Sequence, residues 1–225
     1  MIVAIDGPAG AGKSTIAKLV AGRLGFLYID TGAMYRALTL KIIEKGIDGK
    51  NTQAIIDVAS TTSINLTNNI DGSLKVILDR RDVSQKIREP GVTRYVSDVA
   101  RIKEVREILV KLQRSLGASG DCIIDGRDIG TVVFPDAQYK FYLDASFGER
   151  VNRRYKELVA AGHRVTPDSV AADVRNRDTI DSNREYAPLK QAEDAIGIDT
   201  TSFTIDQVVE KILSYISRYT EQNHG

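Results

Sequence analysis

Near the start of the chain, Gly7-Pro8-Ala9-Gly10-Ala11-Gly12-Lys13-Ser14 satisfies the pattern G-x-x-x-x-G-K-[ST] at every fixed position. No other run constrains the fold as strongly. A backbone that curls until successive N–H groups point inward needs glycine, because side chains there would clash or force disallowed φ values. The context agrees: the apolar run Ile2 to Asp6 reads as a strand, and Ser14 to Leu24 follows at helical spacing with Gly25 placed as a C-cap. Strand, curled loop and helix N-terminus together make an anion cradle. The expected triphosphate contacts are Gly7, Pro8, Ala9, Gly10, Ala11, Gly12, Lys13, Ser14 and Thr15. Lys13 sets a mobile cation against the β- and γ-phosphates, from a loop expected to be filled with solvent. The Ser14 hydroxyl suits Mg²⁺.

The rest of the chain continues the alternation. Phe26 to Asp30, Cys122 to Asp125, Tyr139 to Asp144 and Ile196 to Asp199 are compact apolar runs, and Met34 to Lys45 reads as a helix ending at Gly46. Continuous apolar strands alternating with helices imply a parallel sheet covered on both faces. The middle differs. Ser63 to Leu66 and Leu74 to Leu78 are β-rich and flank Asn68-Asn69-Ile70-Asp71-Gly72, a hairpin signal. The fold class expected is therefore α/β, with a small antiparallel β insert at about 60–91. Val92 to Leu116 carries unbroken helical periodicity, and an arginine-dense helical zone covers 147–184. The remaining segments, 1–59, 92–146 and 185–225, form the core.

Composition bounds the function. The chain has 225 residues and a net charge of +1, so nothing drives it globally toward nucleic acid or an anionic membrane. Any positive potential must come from gathered arginines. The single cysteine, Cys122, lies in an apolar strand and reads as buried; with two histidines it makes no zinc site of the usual kind. The first residues do not read as a signal peptide, and no apolar run approaches membrane-spanning length. A cytoplasmic monomer is expected.

Two further loops lie at carboxyl ends of strands, where ligands bind in such sheets. In Asp30-Thr31-Gly32-Ala33-Met34-Tyr35-Arg36, Thr31 and Arg36 suit an acceptor phosphate; the plain alternative is a helix N-cap by Thr31 and a solvated Arg36. In Asp125-Gly126-Arg127-Asp128-Ile129-Gly130-Thr131, Arg127 suits the transferring phosphates, and Asp128 suits an exocyclic amino group; the alternative is a surface turn with a local ion pair. Arg150, Arg153 and Arg154 share one helix face, as do Arg177, Asp181 and Arg184. Each set alone reads as a solvated surface with an Arg177–Asp181 pair. Beside a phosphate loop, the two sets read as a lid that clamps phosphates.

On these motifs, with Val132-Val133-Phe134-Pro135 and Asp178 to Leu189, the chain resembles the cytidylate kinase family of nucleoside monophosphate kinases from Met1 to about Ser217. The resemblance implies a five-stranded parallel core, an enlarged monophosphate-binding domain and a short lid. It implies ATP as donor, CMP and dCMP as acceptors, and Mg²⁺ with the ATP. It implies acceptor-phosphate contacts from Thr31, Arg36 and Arg127, cytosine contacts from Ser97, Arg106 and Asp128, and ribose contacts from Arg177, Asp181 and Arg184. Tyr35 joins the acceptor set, and Lys13, Arg127, Asp128, Arg153 and Arg154 form the catalytic group. Ser97 and Arg106, nine residues apart, would lie on opposite faces of one helix unless it bends or breaks between them.

The reaction so implied is in-line transfer of a γ-phosphoryl group to a nucleotide phosphate oxygen. Other acceptors on the same fold are the nearest rivals: AMP, UMP or shikimate. A P-loop sensor without turnover is the rival of another class, and the two arginine faces argue against it.

Overall fold

The computed structural model describes residues 1–68 and 74–223. The chain runs β1 (Ile2–Asp6), α1 (Lys13–Leu24), β2 (Leu27–Asp30), α2 (Thr31–Glu44), α3 (Thr52–Ser60), β3 (Ile64–Asn68), β4 (Leu74–Leu78), β5 (Arg81–Asp82), a 3-10 turn (Lys86–Arg88) and α4 (Pro90–Ala100). It continues through α5 (Lys103–Gly117), β6 (Cys122–Asp125), a π-helical turn (Ile129–Val133), β7 (Tyr139–Asp144), α6 (Phe147–Ala160), α7 (Pro167–Asn183), β8 (Ile196–Asp199) and α8 (Ile205–Asn223). Five strands form one parallel sheet in the order β2-β6-β1-β7-β8. The register pairs Ile5 with Asp125 and Asp6 with Tyr142. The strand that feeds the phosphate loop is therefore central.

Side chains alternate across that sheet with period two, and both faces are dry. Val3, Ile5 and Ile123 pack under α1 and α8, with Val20, Val209 and Ile212. Ala4, Cys122 and Ile124 pack on the other face with Met34, Leu38, Val105 and Leu109, from α2 and α5. Cys122 is fully buried, as its apolar run implied.

The insert is a three-stranded antiparallel sheet, β3-β4-β5. Its third strand was not anticipated: Asp79 and Arg80 carry φ of 46° and 70°, the paired positive values of a type I′ hairpin. Ion pairs Lys41–Asp79 at 2.6 Å and Arg81–Glu44 at 2.6 Å tie this hairpin to α2. The expected turn at Asn69 to Gly72 lies outside the described residues.

Three helices depart from expectation. The second starts at Thr31, not Met34, because the Asp30 carboxylate caps it, accepting from Ala33 N at 2.7 Å; Thr31 is not the cap. A short helix, α3, was overlooked, although Asn51 caps it at Ala54 N and Ile55, Val58 and Ala59 bury one face. The expected helix from Val92 to Leu116 is two helices. Ile102 adopts an extended conformation, φ −72° and ψ 119°, and the chain turns a corner there.

Candidate active site

The carboxyl edge of the parallel sheet opens into one cleft of about 1000 Å³, lined from Gly10 and Lys13 at one end to Ser97, Arg106 and Arg184 at the other. That is room for two nucleotide-sized ligands.

The phosphate loop forms the first wall. Gly7 has φ +146°, and a Cβ there would fall 1.9 Å from Leu143 O, so only glycine fits. Lys13 is not in an open, solvent-filled loop: it is 5 % exposed, and its Nζ donates to Pro8 O at 2.7 Å. Burial, then the neighbouring Arg127, pulls its ammonium well below the ordinary lysine pKa. A cation held this way is short of anions.

Asp125, at the end of β6, is a hub that the sequence did not reveal. Its Oδ2 accepts from Ser14 Oγ at 2.8 Å, its Oδ1 from Tyr28 OH at 3.0 Å, and its backbone carbonyl from Thr31 Oγ1 at 2.7 Å. Burial, and then Asp30, raise its carboxyl to about 6, with Lys13 opposing. Asp6, ending β1, was missed in the same way. Its two oxygens accept from Ile129 N and Gly130 N, each at 2.8 Å, and burial raises it to about 6. Asp6 thereby caps the start of the π-helical turn. Arg114 holds the other end, donating to Val132 O and Val133 O at 2.9 Å.

That clamp fixes the loop carrying Arg127 and Asp128. Arg127 Nε donates to Asp181 Oδ2 at 2.9 Å. Asp128, 4 % exposed, accepts from Arg106 and stands 3.5 Å from Arg184 NH2. It is not part of a surface turn. Arg106 reaches it because of the corner at Ile102: α5 starts afresh, so Ser97 and Arg106 are both buried on the cleft, at 4 % and 1 % exposure. The Tyr35 ring underlies Arg106 at 5.3 Å, and burial pushes its phenol up to about 12. Arg36 is not solvated; it donates to Asp30 Oδ2 at 3.0 Å and lines the same wall.

Asp181 on α7 is buried rather than solvated, and its partner is Arg127. Arg184, expected on the same helix face, lies just past the end of α7 in extended backbone and is buried as well. Burial, then Arg127, lower Arg177 to about 10, and its Nε has no protein partner. On α6 the three arginines part company. Arg153 and Arg154 line the cleft, and Arg153 donates to Thr200 Oγ1 and O at 2.9 and 2.7 Å. Arg150 is buried beneath the phosphate loop instead. Arg88 and Arg94 add two cations at the wall that no sequence pattern picked out.

The arrangement is two anion-seeking ends facing each other: the glycine loop with Lys13, and the cluster Arg36, Arg127, Arg177 and Arg184. Among the described residues no group of three or more His, Cys, Asp or Glu side chains is arranged to hold a metal, and no helix is long and apolar enough to cross a membrane.

Comparison with known proteins gives the same answer. The cytidylate kinase family model matches residues 3–218. A cytidylate kinase of Clostridioides difficile (strain 630) is 51 % identical over 217 residues, 96 % of this chain and 98 % of that protein. One of Bacillus licheniformis is 46 % identical over 222 residues, 99 % of this chain and 98 % of that protein. Among solved structures, an uncharacterized protein from Eubacterium ventriosum ATCC 27560 shares the fold at a TM-score of 0.51, with 12 % identity, covering 97 % of this chain and 98 % of that one. The chain belongs to the cytidylate kinase family.

Proposed function

We propose that the cleft binds ATP at the phosphate loop and CMP or dCMP at the arginine cluster, and that it transfers the γ-phosphoryl group between them. The carrying observation is the single cleft with a phosphate loop at one end and buried Arg106–Asp128–Arg184 at the other. A carboxylate there accepts from the cytosine amino group and repels the uracil carbonyl, while Ser97 and Arg106 complete the base pocket. Thr31, Arg36 and Arg127 take the acceptor phosphate. Arg177, Asp181 and Arg184 take the sugar, and Tyr35 floors the site.

The chemistry asks little of a base. The second phosphate pKa is about 6, so the acceptor oxygen is already ionised near neutral pH. What remains is positioning and neutralising charge, which falls to Lys13, Arg127, Arg153 and Arg154. The residues fit a magnesium ion carried with the nucleotide. Ser14 Oγ and Asp125 stand 2.8 Å apart at the loop's exit, a hydroxyl and a carboxylate of the kind that hold Mg²⁺ alongside substrate phosphates and water. Bound there, the ion neutralises charge on the transferring group.

Residues 60–91 and 147–184 act as covers that close over the two nucleotides, on a core of 1–59, 92–146 and 185–225. The enzyme works as a cytoplasmic monomer. Initial rates with ATP across the common nucleoside monophosphates test the reading: CMP and dCMP should lead, and equal or faster use of UMP or AMP would overturn it.

A further inference from the structure

Arg150 is the one arginine of its helix face that avoids the cleft. Its NH1 donates to Ala9 O in the phosphate loop at 3.0 Å and to Asp178 Oδ2 on α7 at 2.6 Å. Its Nε donates to Ala145 O at 3.1 Å, and the Phe147 ring lies 5.6 Å from the guanidinium carbon. The backbone contact is as close: a Cβ on Gly10 would fall 2.8 Å from Arg150 O and 3.0 Å from Arg150 Cβ. The phosphate loop thus rests on Arg150 through both Ala9 and Gly10.

Asp178 sits next to Arg177 and one turn before Asp181 on α7. One guanidinium nitrogen therefore joins the loop that cradles the donor phosphates to the helix that carries the acceptor clamp. Neither Arg150 nor Asp178 lines the cleft. A planar guanidinium suits this task because one nitrogen can donate to two acceptors in fixed directions.

We propose that Arg150 and Asp178 are positioning residues that couple the two nucleotide sites. Filling the phosphate loop settles Ala9 and Gly10, and Arg150 passes their position to α7 through Asp178. Arg177, Asp181 and Arg184 are then set for the acceptor. By linkage the effect is reciprocal: CMP should tighten donor binding by the same factor. This inference rests on the donor and acceptor reading given above.

The test is calorimetric titration of CMP into wild type, Arg150→Met and Asp178→Leu, each with and without a saturating non-hydrolysable ATP analogue. In wild type the analogue should tighten CMP binding by roughly tenfold. In both variants that ratio should fall close to 1, and the double variant should lose no more than either single one, since they break the same link. Asp178→Leu keeps roughly the side chain's volume, offers Arg150 no acceptor, and serves if Arg150→Met does not fold. An unchanged ratio in Asp178→Leu, even with a lowered Tm, would make the pair merely structural and overturn the proposal, as would a wild-type ratio of 1. Wild type that binds the analogue but no CMP would overturn the acceptor reading itself, and the coupling with it.

Discussion

Arg127 Nε donates to Asp181 Oδ2 across 2.9 Å, joining the loop after β6 to α7. Helix spacing offered Asp181 a different partner, Arg177, on an exposed face. Instead the carboxylate is buried. Burial alone would raise its pKa, yet Arg127, Arg177 and Arg184 hold it below the ordinary aspartate value.

Asp181→Ala should therefore do two things. A charge-assisted bond to the ribose is worth about 1.5–3 kcal/mol, so KM for CMP should rise by roughly tenfold or more, with a smaller change for ATP. Buried Arg184 and half-buried Arg127 and Arg177 also lose their shared counter-charge, so Tm should fall. Saturation curves in each substrate and a melting curve check both; unchanged kinetics would remove Asp181 from the site.

Asp128→Asn tests base reading. The amide keeps the shape but no longer discriminates a donor from an acceptor. The ratio of kcat/KM for CMP over UMP should drop by roughly tenfold or more, because a site built on one polar bond rejects the wrong partner strongly. Stability should drop as well, since Arg106 and Arg184 are left facing a neutral group. Equal losses on both nucleotides would mean that Asp128 does not read the base.

Lys13→Met keeps most of the buried volume while removing the charge. Loss of a preorganised charge at the transferring group typically costs about 3–4 kcal/mol, so kcat should fall by roughly 100-fold or more. Tm should hold or rise, because a buried ammonium whose pKa is driven down is a burden to the fold. Turnover within about tenfold of wild type would contradict the role.

Asp125→Asn separates stability from activity by pH. A carboxyl whose pKa is raised on folding favours the native state while it is protonated. That benefit is complete below 3.8 and is lost as pH rises through about 6. The asparagine has no charge to bury, and the Ser14 and Tyr28 hydroxyls can turn to bond it. In metal-free buffer the variant should match wild type near pH 4 and melt higher at pH 7 to 8, by up to about 3 kcal/mol of stability. Its kcat should be lower at every pH. A Tm difference independent of pH would show that Asp125 is not buried as an anion.

Much of this was legible because the strands are continuous apolar runs and the phosphate loop leaves glycine no substitutes. The roles of Asp6 and Asp125 were not: the sequence shows two carboxylates ending parallel strands, but their partners Ile129, Gly130, Ser14 and Tyr28 meet them only in the fold. The corner at Ile102 was not: hydrophobic periodicity persists through Arg101 and Ile102, and the break shows only once Arg106 is seen buried against Asp128. The π-helical turn was equally hidden, since it depends on an Asp6 carboxylate 123 residues away. Arg150 shows the limit of helix-face arguments. Spacing put it with Arg153 and Arg154, and the depth of the phosphate loop separated them.

The pairing of Ile5 with Asp125 fixes more than the sheet. Gly7 and Arg127 each lie two residues beyond that pair, so the donor loop and the acceptor loop leave adjacent strands at one level. Where they leave the sheet their separation is set by backbone hydrogen bonding, about 4.8 Å between strands, and beyond it the Asp6 and Arg114 side chains hold the second loop. A slip of one residue along β6 would carry Arg127 and Asp128 about 3.3 Å from their station. Since a 1 Å misplacement can cost about 100-fold in rate, such a slip would disable the transfer proposed above. Substitution of cleft side chains leaves the level at which the two loops depart unchanged, because main-chain bonds between β1 and β6 set it.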